Sequence, residues 1–223
     1  MARRGGPNPM SDIQATDLGQ AWFDLLHAVY RTGEPVGDGT RELRNVRVAF
    51  EECGCRDPRL ARFAARQPVE EMRKVFFSSQ ANRFGHSYAD KVRGPEGRRD
   101  LADAVDLLAR EPWSKRAAVT LVGNGDGKVP CINTVHFLRR EAGLFVSYFS
   151  RGQDVFKKFY ADGVCIHEMG RRVGEPLGIP VALVTGMISS AHVYLADLPA
   201  IQGLLDEVEG TRRAMANLPR GGP

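Results

Sequence analysis

The sequence predicts a single α+β domain, a mixed β-sheet flanked by helices, and three observations carry that expectation. At 223 residues the chain can bury one sizeable core without dividing. Strand-like stretches follow one another through its middle, between segments with helical spacing. No internal repeat appears, and only the two ends are of low complexity. The domain is expected to span residues 17–216, with 1–16 and 217–223 as flexible ends.

The elements follow in order. The opening residues are rich in Arg, Gly and Pro and are expected to be disordered. Residues 17–30, DLGQAWFDLLHAVY, carry apolar side chains at helical spacing, and Asp17 is placed to cap the helix. RTGEPVGDGT is turn-rich, and LRNVRVAFEE (43–52) alternates as a strand. Residues 57–80 read as one or two helices, with Pro68 at a helix start. RRDLADAVDLLAREP is an amphipathic helix stopped by Pro112, and KRAAVTLVGN, INTVHFLRRE and GLFVSYFSRG are strands. Residues 152–172 are expected to be helical, while 180–188 fit helix or strand. SSAHVYLA is expected to form a last strand, and LPAIQGLLDEVEGTRRAMAN a last helix.

Composition narrows the function classes. An apolar fraction of 43% with 26% charged residues is that of a soluble globular protein. No apolar run reaches the length of a membrane span, and the opening MARRGGPNP has no hydrophobic segment of a secretory signal. A cytoplasmic protein without a membrane partner is the expectation. The formal charge is +4, but the basic residues are scattered, and aromatics make up 8% of the chain. That pattern suits separate contacts to phosphates or carboxylates rather than a nucleic-acid stripe. Of the four cysteines, Cys53 and Cys55 flank Gly54 without an accompanying His or Cys pair. They read as two reduced thiols in a turn rather than as metal ligands, and no metal is expected.

Cys131 is the chemically suggestive thiol. It follows Pro130 and the loop Gly123–Lys128, where the strand INTVHF begins. It could be an ordinary core thiol or a nucleophile, and a nucleophile needs positive neighbours to favour the thiolate. The next strand returns antiparallel and ends at Arg151, which can therefore lie beside Cys131, lower its pKa and hold an anion.

Taken together, several motifs resemble the thymidylate synthase family: Pro130-Cys131 followed by Phe137, Ser150-Arg151-Gly152-Gln153-Asp154, and Ala191-His192-Val193-Tyr194. Tyr88-Ala89-Asp90-Lys91-Val92-Arg93 is similar to the family's Tyr-Gly-x-Gln-Trp-Arg. Ser114-Lys115-Arg116 resembles its Ser-Arg-Arg, and Thr40-Arg41-Glu42-Leu43 its phosphate loop. The likeness runs from about residue 17 to 205 in one order, with a shorter stretch between Phe77 and Tyr88.

The resemblance implies a thymidylate synthase-like fold whose sheet face packs a homodimer. It implies that Cys131 adds to C6 of a pyrimidine nucleoside monophosphate, activating C5 toward the one-carbon unit of 5,10-methylenetetrahydrofolate. Arg41 and Arg151 would bind the phosphate, with Lys115 and Arg116 reaching the partner's phosphate site. Asp154 belongs to the substrate-binding turn, and His192 and Tyr194 would hold the sugar. Glu71 or Glu70 would relay protons, and Tyr88 would line the site beside the nucleophile.

Departures from the family pattern bear on the substrate. Eight residues after Asp154, where the family reads uracil with Asn, stands Asp162. A carboxyl can accept from the N4 amine of cytosine and share a proton with N3. Asp at this place resembles the cytidylate hydroxymethylase branch, which acts on CMP or dCMP and adds water where thymidylate synthase delivers hydride. Otherwise Asp162 caps the following helix. Gly152, Ile132, His136, Ser190, Ala196 and Asp197 also leave the pattern. A dUMP-methylating enzyme and a non-catalytic nucleotide-binding regulator are the alternatives.

Overall fold

A computed structural model describes residues 11–54, 57–78, 88–89, 100–121 and 129–216. The sheet begins with β1 (Asp12–Asp17), which runs parallel to β3 (Thr40–Glu52). This corrects the expectation of a flexible segment through residue 16. In DIQATD, Ile13 and Ala15 alternate toward the protein at half-buried positions, and the strand's partner lies more than thirty residues on.

Asp17 ends β1 and caps α1 (Leu18–Thr32), its carboxylate accepting from the Gln20 amide at 2.7 Å. The turn-rich segment holds a short β2 (Glu34–Val36), which returns into β3 through Gly39 at φ 81°. Two helices follow, α2 (Pro58–Phe63) and α3 (Arg66–Phe77), and then α4 (Asp100–Arg110) and β4 (Ala118–Thr120). The hairpin of β5 (Ile132–Arg140) and β6 (Gly143–Ser150) is as the alternation predicts.

Residues 152–158 are not helical. Gln153 and Asp154 form β7, a two-residue strand parallel to β8 (Val181–Tyr194), and α5 (Phe159–Gly174) begins after it. β8 itself joins the ambiguous 180–188 and SSAHVYLA into one strand of 14 residues. The chain's last described element is α6 (Leu198–Ala216).

The strand order is β1-β3-β8-β6-β5-β4, with β2 on β3 and β7 on β8, and it mixes parallel and antiparallel pairs. β8 is central and hydrogen-bonded on both sides. Leu43 opposes Ala191 and Val46 opposes Ile188, all four buried, so alternation slips by one residue on both strands. Asn45, at φ 55°, stands at the slip.

Helices pack on the face carrying Val46, Val48, Val146 and Val184, where Trp22, Phe50, Phe137 and Phe159 are fully buried. Trp22 on α1 donates to the Val155 carbonyl at 2.8 Å and its ring meets Tyr160 at 4.5 Å, which fixes the segment between β7 and α5. On the other face, Phe149 and its cross-strand neighbour Met187 are exposed. Among the described residues no helix is long and apolar enough to cross a membrane.

Close approach of α5 to the sheet requires Gly170, where a Cβ would lie 2.6 Å from Val146 Cγ2 and 3.1 Å from Val181 Cγ2. Gly170→Leu should therefore overpack this contact and cost about 1–3 kcal/mol. Urea unfolding monitored by circular dichroism checks this, and an unchanged midpoint contradicts the packing.

Candidate active site

The hairpin positions Cys131 at the entrance of β5. Ile132 pairs with Ser150, so Arg151 follows directly alongside, and its backbone N–H donates to the Cys131 carbonyl at 2.9 Å. The Arg151 guanidinium then folds back on the strand's approach. Nε donates to the Val129 and Pro130 carbonyls at 3.2 Å each, and Nη2 to Val129 at 2.9 Å. Asn133 ties the same turn by donating to the Pro130 carbonyl at 2.9 Å. The expected neighbourhood of Cys131 and Arg151 is thus present, with Gly123–Lys128 outside the described residues.

Cys131 is exposed. Its pKa is nonetheless raised, first by the protein surrounding the thiol and then by Asp162 and Asp154, while Arg151 and Lys158 pull it down. Arg151 acts in the expected direction but is outweighed in the free protein. Tyr88 is buried beneath, its ring 4.5 Å from Phe76, and its hydroxyl lies 3.5 Å from the Ile132 amide, which points the N–H toward it. Burial, Asp162 and Cys131 all push the Tyr88 phenol upward, so it stays neutral. The rest of its motif, Asp90–Arg93, is outside the described residues.

Asp162 lies in the first turn of α5 but does not cap it. The N-cap position is Lys158, and the Asp162 carboxylate bonds the side chain of Gln153, whose Nε2 donates to Oδ2 at 2.6 Å. Gln153 and Asp162 are 1% and 5% exposed, and Gln153 Oε1 and Asp162 Oδ1 have no hydrogen-bond partner among the described residues. Burial pushes the Asp162 carboxyl up to about 7, against the Gln153 hydrogen bond and Lys158 and with Asp154. Near neutrality it can therefore present either an O–H donor or an acceptor.

A second group gathers at the end of β8. Asp154 pairs with His192, and its Oδ1 accepts from the Lys157 amide at 3.0 Å. Burial raises the Asp154 pKa, opposed by that bond, His192 and Lys157. His192 and Tyr194 meet edge-on with ring centres 5.8 Å apart, His192 Nδ1 is 3.3 Å from the Ser190 carbonyl oxygen, and Lys157 lies over the Tyr194 ring. Arg41 reaches this end of the sheet opposite Val193, with its Nη1 donating to the Tyr30 carbonyl at 2.6 Å.

Three expected site residues stand apart from these groups. Glu71 is exposed on α3 and accepts from Gln67 at 2.8 Å; Glu70 is exposed as well. The buried stripe of that helix is Met72, Val75 and Phe76, which turns both carboxylates toward solvent. Lys115 and Arg116 lie between α4 and β4, where the Lys115 carbonyl contacts His136 and Arg116 pairs with Glu111 at 2.6 Å.

Conversely, Gln153 and Lys158 were not singled out from sequence. The i, i+4 spacing of Lys158 and Asp162 was a usable cue for Lys158; the partner of Gln153 had none. Of the remaining thiols, Cys53 is pushed up to about 12 by burial and Asp57, and Cys165 is raised mainly by burial. Cys55 lies outside the described residues.

These features define a class: a mixed-sheet α+β protein with an exposed thiol at a strand entrance, an arginine against it and a buried ionisable edge behind. No family model matches the chain. It is similar to several proteins named "Putative thymidylate synthase". That of Methanothermobacter marburgensis is 22% identical over 82% of this chain and 92% of its own. That of Methanococcoides burtonii is 23% identical over 88% and 95%, and that of Methanosarcina mazei 24% identical over 86% and 94%. These distant similarities support the thymidylate synthase family, and the mixed sheet flanked by helices is compatible with its fold.

Two outcomes follow from the electrostatics. Asp162 holds the thiol pKa up, so Asp162→Asn should speed alkylation of Cys131 at a fixed pH below that pKa, whereas Arg151→Leu should slow it. Mass-spectrometric alkylation rates, with Cys131→Ser as the control, measure both; equal rates in all three proteins contradict the assignment. The folded pKa of Asp162 is also above its unfolded value, so the native state binds the extra proton and the associated stability is lost as pH rises through about 7. Asp162→Asn should accordingly gain stability relative to the parent as pH rises from about 4 to about 7, and the difference should then level off. Urea unfolding at several pH values reads the difference, and a pH-independent one refutes the shift.

Proposed function

We propose that the chain is a pyrimidine-nucleotide C5 one-carbon transferase, and specifically a CMP or dCMP 5-hydroxymethylase. The single observation that carries the finer reading is Asp162: buried, close enough to raise the Cys131 pKa, and titrating at about 7. The similarity to proteins named as thymidylate synthases supports the coarser one.

In this reading Cys131 loses its proton and its sulfur attacks C6 of the base, with Arg151 favouring the thiolate. The protonated carboxyl of Asp162 donates to ring N3 while its oxygen accepts from the exocyclic amine. Uracil reverses both groups, so a proton held on the oxygen that faces N3 leaves buried atoms unpaired, a mismatch that can discriminate by about 10⁴-fold. Tyr88, neutral and packed on Phe76, closes the site beside the nucleophile. His192 and Tyr194 hold the sugar, next to Asp154.

The one-carbon donor is a methylenetetrahydrofolate-type folate, which supplies a carbon at the oxidation level of formaldehyde. The exposure of Cys131 fits such a group, because a base attached there leaves a face open to a flat partner. Arg41 supplies a phosphate contact, and it must exchange its bond to Tyr30 to do so. A homodimer packed on the face of Phe149 and Met187 would carry Lys115 and Arg116, beside His136 on that face, toward the partner's phosphate. Glu71, turned to solvent, would need a rotation of α3 to serve as relay.

Incubation with methylenetetrahydrofolate and each of CMP, dCMP, UMP and dUMP tests the proposal. A cytidylate should yield the 5-hydroxymethyl product without dihydrofolate, and Cys131→Ala should abolish it. Turnover of dUMP alone, with dihydrofolate formed, sinks the cytidylate reading in favour of a methylating enzyme. Nucleotide binding without any Cys131-dependent product points to the regulatory alternative.

A further inference from the structure

The Asp162 carboxyl does not face the site alone. Gln153, on β7, is more deeply buried than Asp162 itself, and its amide N–H is given to Asp162 Oδ2. Among the described residues, the two atoms of this pair left without partners are Gln153 Oε1 and Asp162 Oδ1. Buried polar atoms left unpaired cost about 1–3 kcal/mol each, so adjacent orphans on two interacting side chains point to a ligand that meets them.

We propose that Gln153 is a positioning residue for base recognition: by donating to Oδ2 it directs the exchangeable proton of Asp162 to Oδ1, where that proton meets ring N3 of cytosine. This rests on the cytidylate reading of the site. A carboxyl oxygen that already accepts an amide N–H is the poorer place for the proton, so the hydrogen bond chooses which oxygen is the donor. β7 makes the arrangement rigid. Gln153 opposes Ala191 in the parallel pair with β8, and the following Val155 carbonyl is held by Trp22. The side chain thus arrives from the sheet, not from the helix that carries Asp162.

The groups among the described residues that act on Asp162 or feel its charge come from several elements. They are Asp154 on β7, Lys158 before α5, Tyr148 on β6, Cys131 before β5, Tyr88, and Cys165 on α5. Lys158 and the Gln153 amide favour the carboxylate, while Asp154 favours the acid. Removing the amide therefore moves the titration upward.

The experiment is calorimetric titration of the full chain with CMP and with UMP across the neutral pH range, for the parent and for Gln153→Met. The parent should bind CMP more tightly, with affinity falling as pH rises and Asp162 loses its proton. In Gln153→Met the preference for CMP over UMP should shrink by roughly ten-fold, the scale of one lost hydrogen bond to a charged or ionisable group. The alkaline fall should also shift to higher pH. A merely structural defect would weaken both nucleotides alike and leave the pH midpoint in place, and that result overturns the role of Gln153. If Gln153→Met does not fold, Gln153→Glu keeps the shape, replaces the donor by an acceptor and must produce the same upward shift. A parent that shows no preference for CMP overturns the cytidylate reading itself, separately from Gln153.

Discussion

The pairing of β5 with β6 is the constraint on which the site depends. Once Ile132 lies opposite Ser150, the residue after β6 has no choice but to stand beside the residue before β5. Arg151 then closes the geometry by taking the carbonyls of Val129 and Pro130. Those carbonyls belong to a turn that cannot join a sheet through Pro130, which lacks an N–H. The arginine supplies the missing partners and stiffens the approach to Cys131. β6 is held in turn by its parallel register with β8, and β8 by β3. Cys131 is therefore indexed to the centre of the sheet, not to a free loop.

The electrostatics couple the two ends of the proposed chemistry. An ionised Asp162 raises the Cys131 pKa, which opposes the thiolate. A protonated Asp162 withdraws that opposition and is also the form that can donate to cytosine N3. In the proposed chemistry one proton on one buried carboxyl thus serves both base recognition and activation of the thiol. Burial is what makes this available near neutrality: in water the same carboxyl would be ionised throughout the useful pH range. The cost is borne by the fold, which carries a buried acid with one oxygen unpaired among the described residues.

Local features of the chain were legible in sequence where the physics is local. Asp17 and the apolar spacing of α1 identified the first helix, and the hairpin turn brought Arg151 to Cys131 by topology alone. Residues 152–158 misled because QDVFKK has no strand pattern; β7 exists only through its pairing with Ala191 and His192, almost forty residues later. β1 was hidden for the same reason, since an edge strand of half-buried residues gains its structure from β3. Glu71 illustrates the converse. Its spacing to the family motif was plausible, but the apolar stripe of α3 decides orientation, and that stripe turns the carboxylate outward. The bond between Gln153 and Asp162 joins a strand to a helix at a nine-residue separation and has no sequence signature.

The corner around His192, the sugar end in the proposed reading, is wired differently from the Asp162 end. Where the family pattern places Asp in the last strand, Ser190 stands here, and its hydroxyl donates to Glu42 on β3 at 2.5 Å. A carboxylate is still present at this level of the sheet, but it has moved across to the neighbouring strand, where Glu42 opposes His192. Gly152 is not forced by space, because a Cβ there would meet His192 Cε1 at an ordinary 3.8 Å. Its effect is to withdraw a hydroxyl from beside His192, while Ser150 donates to the Gly152 carbonyl instead. The polar groups around His192 are thus redistributed from the turn and the last strand to β3. In the proposed reading the base falls to Asp162 and the sugar to a separately wired corner of Glu42, Ser190 and His192, so a change in sugar preference made there would leave the buried acid undisturbed.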